Sequence, residues 1–299
     1  SANALAYNAT TGEITYREFP DGGADTLQAV TAAGNTTTLV TEFNNVNGIS
    51  IFSHGGIETD SNVIIGSGSG FVSLADPATT TPPKDRIAIG TSAGNSLQNL
   101  YSIAIGPSAG FISQQEGCVA IGRNAGEFTQ GLSDNIFFGY AIAIGPGAGN
   151  NNQAFGGVSV GTSAGYLNQG CQSVAIGYEA AETVQGGASV AIGTSAGQTS
   201  QGDKAVAIGH EAGQISQNTY SVAIGISAGK TIQGSQSVAV GYEAANSSQG
   251  IHAVSIGTSS GYLGQNSYAV AIGESAGIEA QSTLAVAIGK DAGATNQGS

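Results

Sequence analysis

The sequence predicts an all-β fold, a parallel β-solenoid (β-roll) of sixteen-residue coils with a small β region ahead of it. Three observations predict it. A Val-Ala-Ile-Gly block recurs every sixteen residues, glycine supplies 48 of 299 residues while Met and Trp are absent, and the residues around each block alternate with period two. A fixed short repeat marks a stack in which each unit contacts only its neighbours. With 9% charged and 6% aromatic residues, the chain has few large side chains for a conventional core, but stacked identical coils do not need them.

The glycine that closes each block sets the phase. Gly90, Gly106 and Gly122 are sixteen apart, as are Gly145, Gly161, Gly177, Gly193, Gly209, Gly225, Gly241, Gly257, Gly273 and Gly289. Between Gly122 and Gly145 the spacing is 23, and a degenerate earlier coil ends at Gly66. The chain is therefore divided into an N-terminal β region, 1–48, and a solenoid of about fourteen coils, 49–299, with insertions at 73–86 and 132–140.

In the N-terminal region, Ala6 to Tyr16 reads as two short strands about the turn at Thr11-Gly12. In each of thirteen solenoid coils the residues one and three before the phase glycine are Ile or Val, and the one between them is Ala, or Ser at Ser159 and Ser255. This alternation is a strand, and its β-branched face is expected to stack into a dry core. The Ala row from Ala88 to Ala287 then faces outward, an apolar stripe that a lone chain would leave wet, which predicts a homotrimer. A second glycine follows the phase glycine by four residues in eleven coils, with Ala181 and Ala245 in the other two.

Eight residues after each phase glycine stands Gln: Gln98, Gln114, Gln130, Gln153, Gln169, Gln185, Gln201, Gln217, Gln233, Gln249, Gln265, Gln281 and Gln297. One amide per coil at constant phase predicts a ladder along the axis, as in stacked cross-β structures. The next residue is Gly in seven coils and Asn in three, which predicts a left-handed turn there. Thirteen coils at about 4.8 Å each make a rod roughly 60 Å long.

The runs Ser173-Val174-Ala175-Ile176-Gly177, Ser189 to Gly193 and Ser221 to Gly225 resemble the Ser-Val-Ala-Ile-Gly repeat of YadA-type heads in trimeric autotransporter adhesins. Bacteriophage and large-virus fibre proteins use similar repeats. The resemblance covers about residues 60–299 and implies a left-handed roll with three chains side by side. The sequence departs from it in its sixteen-residue repeat, against fourteen, and in its added Gln. The stretch Thr26 to Thr38 is similar to short segments ahead of repetitive shafts in phage and virus fibres. Together these imply a structural component of a surface fibre on a virion, attaching to a host glycan or protein, with a bacterial cell-surface adhesin head as the alternative.

Composition narrows the other classes. A net charge of -13 with seven Lys and Arg excludes nucleic acid as a partner, and no run of eighteen apolar residues predicts membrane insertion. No export signal opens the chain. The missing initiator Met and the end in mid-repeat at Ser299 suggest a piece of a longer protein. No catalytic constellation, metal site or cofactor is expected, since His54, His210 and His252 fall at unrelated phases. Gly66 to Gly70 lacks the Lys and helix start of a phosphate loop. A hexapeptide acyltransferase would close its coil in eighteen residues, and an ice-binding array would want Thr in every coil, against only Thr91, Thr162, Thr194 and Thr258.

Cys118 and Cys171 fall at different phases and are read as free, small apolar residues. Glu179, Glu211 and Glu243, beside Tyr178, His210 and Tyr242, recur every second coil and read as a solvated edge. Insertions must leave the stack as loops, and loops carry binding residues. The candidates for receptor contact are Asp134, Asn135, Phe137, Phe138 and Tyr140.

Overall fold

The structure, a computed structural model, describes residues 2–7, 14–19, 62–67, 69, 85–132, 139–295, 297 and 298. The chain divides into two units, Ser1–Ile57 and Glu58–Ser299. In the first, β1 (Ala2–Tyr7) pairs antiparallel with β2 (Ile14–Phe19), from Tyr7 opposite Ile14 out to Ala2 opposite Phe19. The hairpin expected about Thr11-Gly12 is present, with strands that run beyond the expected span at both ends. Its turn and the stretch Thr26 to Thr38 lie outside the described residues.

In the second unit, two parallel sheets run the length of the stack, one of fourteen strands and one of nine among the described residues, which include no helix. One coil gives Val190–Ile192 to the first sheet and Thr199–Gln201 to the second. Each strand pairs with its counterpart sixteen residues on: Val190 with Val206, Ala191 with Ala207, Ile192 with Ile208, and Gln201 with Gln217. Backbone bonds alternate up and down the axis. The Val190 amide donates to the Ala205 carbonyl (2.9 Å), and the Gly193 amide to the Ile176 carbonyl (2.8 Å).

Insertions do not interrupt the larger sheet. Val119 pairs with Ile142 across 23 residues and Ile65 with Ile89 across 24, so register resumes after each insertion. In the smaller sheet the shift shows as an irregularity at Gln153/Ala154, where Ala154 meets Leu132. Residues 73–84 and 133–138 of the two insertions lie outside the described residues.

The interior corrects the expectation of a β-branched core. The Ala row is inside: Ala175, Ala191, Ala207 and Ala223 are fully buried, while the flanking Val and Ile side chains point outward. The cause is the width of the coil. A Cβ added at Gly229 would lie 3.3 Å from Ala223 Cβ, and one at Gly277 3.4 Å from Ala271 Cβ. The two walls thus approach so closely that a methyl group on one faces hydrogen on the other, and a β-branched side chain does not fit. What fills the bore is Ala in the first strand, Ala or Ser three residues after the phase glycine, the Gln, and Ser, Ala or Cys118 just ahead of the strand.

The turns also differ from expectation. After the Gln, Gly131 takes positive φ (84°) as expected, but Gly170, Gly186, Gly202, Gly234 and Gly250 do not. They are glycine because a Cβ there would run into the backbone of the next coil; at Gly170 it would stand 2.6 Å from the Gly186 carbonyl carbon. Left-handed backbone falls instead two, four, seven and eleven residues after the phase glycine, as at Ser195 (53°), Gly197 (53°), Ser200 (59°) and Lys204 (55°). The phase glycines need both freedoms, with φ of 115–136° and, for all but the last, a neighbouring carbonyl under 3 Å from any Cβ.

Candidate functional site

Two features of the stack can act on something outside a single coil, the amide row in the bore and the outer wall of the larger sheet. The Gln side chains extend into the bore from the second strand, where flanking Ala and Gly leave room for one amide per level. Gln201 Nε2 donates to the Val190 carbonyl across the bore (2.9 Å) and to Gln217 Oε1 in the next coil (3.0 Å). One bond ties the two walls together and the other ties successive coils. The amide-to-amide chain runs from Gln114 through Gln130 to Gln153, and from Gln169 through Gln185, Gln201, Gln217, Gln233, Gln249, Gln265 and Gln281 to Gln297. Between Gln153 and Gln169 the link passes through Ser159, whose hydroxyl accepts from the first (3.3 Å) and donates to the second (2.8 Å). Ser255 donates to Gln265 Oε1 in the same way (2.6 Å), which explains why Ser can replace Ala at those two places.

Gln98 is the exception to the ladder of thirteen. Its amide donates to the carbonyls of Ile87 and Ser102 within its own coil, and the buried Oε1 atoms of Gln98 and Gln114 have no partner. Every amide from Gln130 to Gln281 is consumed inside the bore, so that part of the row is closed to external ligands.

The outer wall is the reverse. Ile144, Ile176, Ile192, Ile208, Ile224 and Ile256 are 36–39% exposed, and the Val or Ile two residues earlier on each strand is half-buried. The sequence places Val or Ile at both outward positions of every coil, so the wall is an unbroken apolar face. At about 4.8 Å per strand it is roughly 60 Å long and 10 Å wide, or about 600 Å², at the upper end of what a solitary protein exposes. The expected wet stripe of Ala is thus corrected to a wet stripe of Val and Ile. Sequence alternation separates the two faces of a strand but does not say which is inside. The signal that could have done so is residue size, since the Ala row admits nothing larger than Ser.

The remaining candidates are dispersed. Asp134, Asn135, Phe137 and Phe138 lie outside the described residues. Tyr140 is exposed, with its ring 6.4 Å from Phe155 in edge-to-face contact and over Gly117, where a Cβ would meet it at 2.7 Å. Two of the three alternate-coil carboxylates are used within the stack. Glu179 accepts from Gln198 Nε2 (2.9 Å) of the next coil, and Glu211 from Lys230 Nζ (2.8 Å) and the Ser227 hydroxyl (3.2 Å). The Lys230 bond holds Glu211 below the usual carboxylate range, against the opposing effect of partial burial. Glu179 beside it raises the Tyr178 hydroxyl. His210 stands 3.9 Å from Glu211, His252 stacks on Tyr268 at 4.9 Å, and His54 lies outside the described residues.

Cys118 is fully buried in the row that other coils fill with Ser or Ala, and burial pushes its thiol up to about 12. Cys171, expected to be a small apolar filler, is exposed instead. Among the described residues no group of His, Cys, Asp or Glu converges as a metal site would require, and no helix is long and apolar enough to cross a membrane. Comparison of the chain with protein-family models, with curated proteins and with solved structures finds no match in any of the three.

Proposed function

We propose that the chain is a structural segment of a trimeric surface fibre, in which three parallel copies pack their Val and Ile walls about a common axis and present the other walls to solvent. The unbroken apolar wall carries this reading. Covering the exposed part of each Ile or Val is worth roughly 1 kcal/mol, and two dozen or more such residues per chain far exceed the cost of association. A repeat-by-repeat identical face suits a parallel copy of itself, because every level then meets its own counterpart. Three chains side by side is also the arrangement that the resemblance to YadA-type heads implies.

The same resemblance, with the segment Thr26 to Thr38, supports a phage or large-virus fibre at the virion surface with a part in host attachment. A bacterial adhesin head is the other member of that class. A stack whose Gln row is bonded across and along the bore suits a mechanical role. Light scattering on the purified chain tests the assembly. The expected mass is three times the 29.4 kDa of one chain, and a monomer at micromolar concentration would sink the reading.

A further inference from the structure

One coil corner breaks the regularity of the surface. The residue two after the phase glycine is Ser in seven coils, Glu in three and Asn or Asp in two, but glycine at Gly147. The missing side chain opens a recess of about 290 Å³ that runs over three successive coils. A Cβ at Gly147 would lie 3.5 Å from Cδ2 and Cε2 of Tyr166, so the Tyr166 ring, 40% exposed, forms one side of the recess.

The polar side is built as well. Glu127 Oε2 accepts from Asn124 Nδ2 (2.6 Å) and from Asn150 Nδ2 (2.8 Å), and Asn150 also donates to the Asn124 carbonyl (3.0 Å). These bonds fix the carboxylate and leave Oε1 with both lone pairs. Arg123 lines the same recess, exposed, and its guanidinium makes no hydrogen bond or ion pair. Four other cations differ: Lys204 bonds the Tyr220 hydroxyl, Lys230 and Lys290 pair with Glu211 and Glu274, and Arg86 donates to the Gln98 carbonyl.

An exposed aromatic ring, a positioned carboxylate acceptor and a free five-donor fork form a complementary set for a ring that has an apolar C–H face and adjacent hydroxyls. We propose that this recess is a saccharide-binding subsite that takes one pyranose unit. Its C–H face lies against Tyr166, one hydroxyl donates to Glu127 and a neighbouring oxygen accepts from Arg123. The volume, near the lower limit of ligand pockets, suits one sugar ring and not a larger apolar ligand. The proposal rests on the attachment half of the fibre reading and is independent of its three-chain half.

The repeat supplies its own controls. Gly147→Ser restores the residue most coils carry, in a left-handed conformation that Ser163 and Ser195 also adopt, so it fills the recess without disturbing the stack. Tyr262 occupies the same phase as Tyr166, but its coil follows one with Glu243 where Gly147 stands. The probe is saturation-transfer NMR on the intact chain with the methyl glycosides of glucose, galactose, mannose, N-acetylglucosamine and glucuronic acid, each separately. Transfer to at least one is expected, strongest at the C–H protons of one ring face. Gly147→Ser and Tyr166→Ala should each weaken binding about tenfold or abolish it, while Tyr262→Ala leaves it unchanged. No transfer to any of the five glycosides, or transfer that survives Gly147→Ser, overturns the proposal. Light scattering on the same samples reports the oligomer separately, so failure of the sugar site and failure of the trimer are told apart.

Discussion

The two outer walls of the solenoid share one bore, and their inner sides are equally uniform: Ala on one, Gln on the other, coil after coil. Outside they diverge. The wall of the fourteen-stranded sheet carries only Val and Ile, whereas the wall of the nine-stranded sheet carries Thr, Ser, Leu, Ile, Val, Asn and Phe with no fixed rule. Packing inside the coil cannot cause that difference, because neither set of outward side chains enters the bore. The proposed partner surface, repeating with the same period, would hold one wall constant and leave the other free.

Charging each wall in turn breaks the comparison most severely. Ile192, Ile208 and Ile224→Asp in one chain would place three rings of carboxylates between the copies. Such a variant is expected to run as a folded monomer by light scattering, with its β-sheet circular dichroism retained. Ser200, Ser216 and Ser248→Asp adds the same charge to the other wall, at left-handed positions where Asp is tolerated, and should leave the mass at three chains. If both sets behave alike, the uniform wall is not the interface.

The next test asks which side of the first strand is inside. Ala207→Ile adds three carbons to a bore that has room for a methyl group, and overpacking of that kind should cost about 3 kcal/mol per chain. Val206→Ile, one residue earlier and outward, should be nearly neutral. A melting temperature for Ala207→Ile equal to that of the parent would restore the β-branched core that the sequence pattern suggests.

That wrong side is the instructive miss. The period of sixteen, the strand at each Val-Ala-Ile, the second strand ending in Gln, and the resumption of register after both insertions are all legible, because each follows from repetition and from alternation. Which face is buried does not follow from alternation, and hydrophobicity points the wrong way. Val190 and Ile192 are the more apolar pair, yet the bore selects Ala191 by size, with the closeness of the opposite wall hidden in a residue half a coil away. The recess at Gly147 was illegible for a related reason. Its parts are Arg123 and Glu127 on one coil, Gly147 on the next and Tyr166 on the one after, and only stacking brings them together.

A third, smaller effect concerns the bonds that join the walls. Gln201→Leu removes the cross-bore bond to the Val190 carbonyl, leaves Gln217 Oε1 without its donor and takes from Gln185 Nε2 its axial acceptor, with only the Val174 carbonyl remaining to it. The expected loss is about 1–3 kcal/mol per chain by chemical denaturation, with the oligomer unchanged. Gln98→Leu, at the member outside the amide chain, should cost less, because it strands no neighbouring amide. Equal losses at the two positions would mean that the axial bonds contribute nothing beyond the cross-bore ones.

The corner between the walls should give the smallest effect. Glu211, two residues past its phase glycine, links its own coil to the next through Lys230 and Ser227. Its pKa is lowered in the folded chain, chiefly by the Lys230 bond, so the stabilisation it supplies is present above the unfolded carboxylate pKa and fades as pH falls through the folded value. Both side chains are partly exposed, at 26% and 33%, so solvent screens the pair and its contribution should be below about 1 kcal/mol. Glu211→Gln is therefore expected to lower the melting temperature by roughly 2 °C or less at pH 7. The difference should shrink in molar salt and fade as pH falls through the lowered folded value, below which the parent carboxylate is protonated as well. A loss of several degrees that did not change with salt or falling pH would show that Glu211 supports the corner by shape and hydrogen bonding instead of charge. In that case the corners, and not only the bore, would set the coil's width.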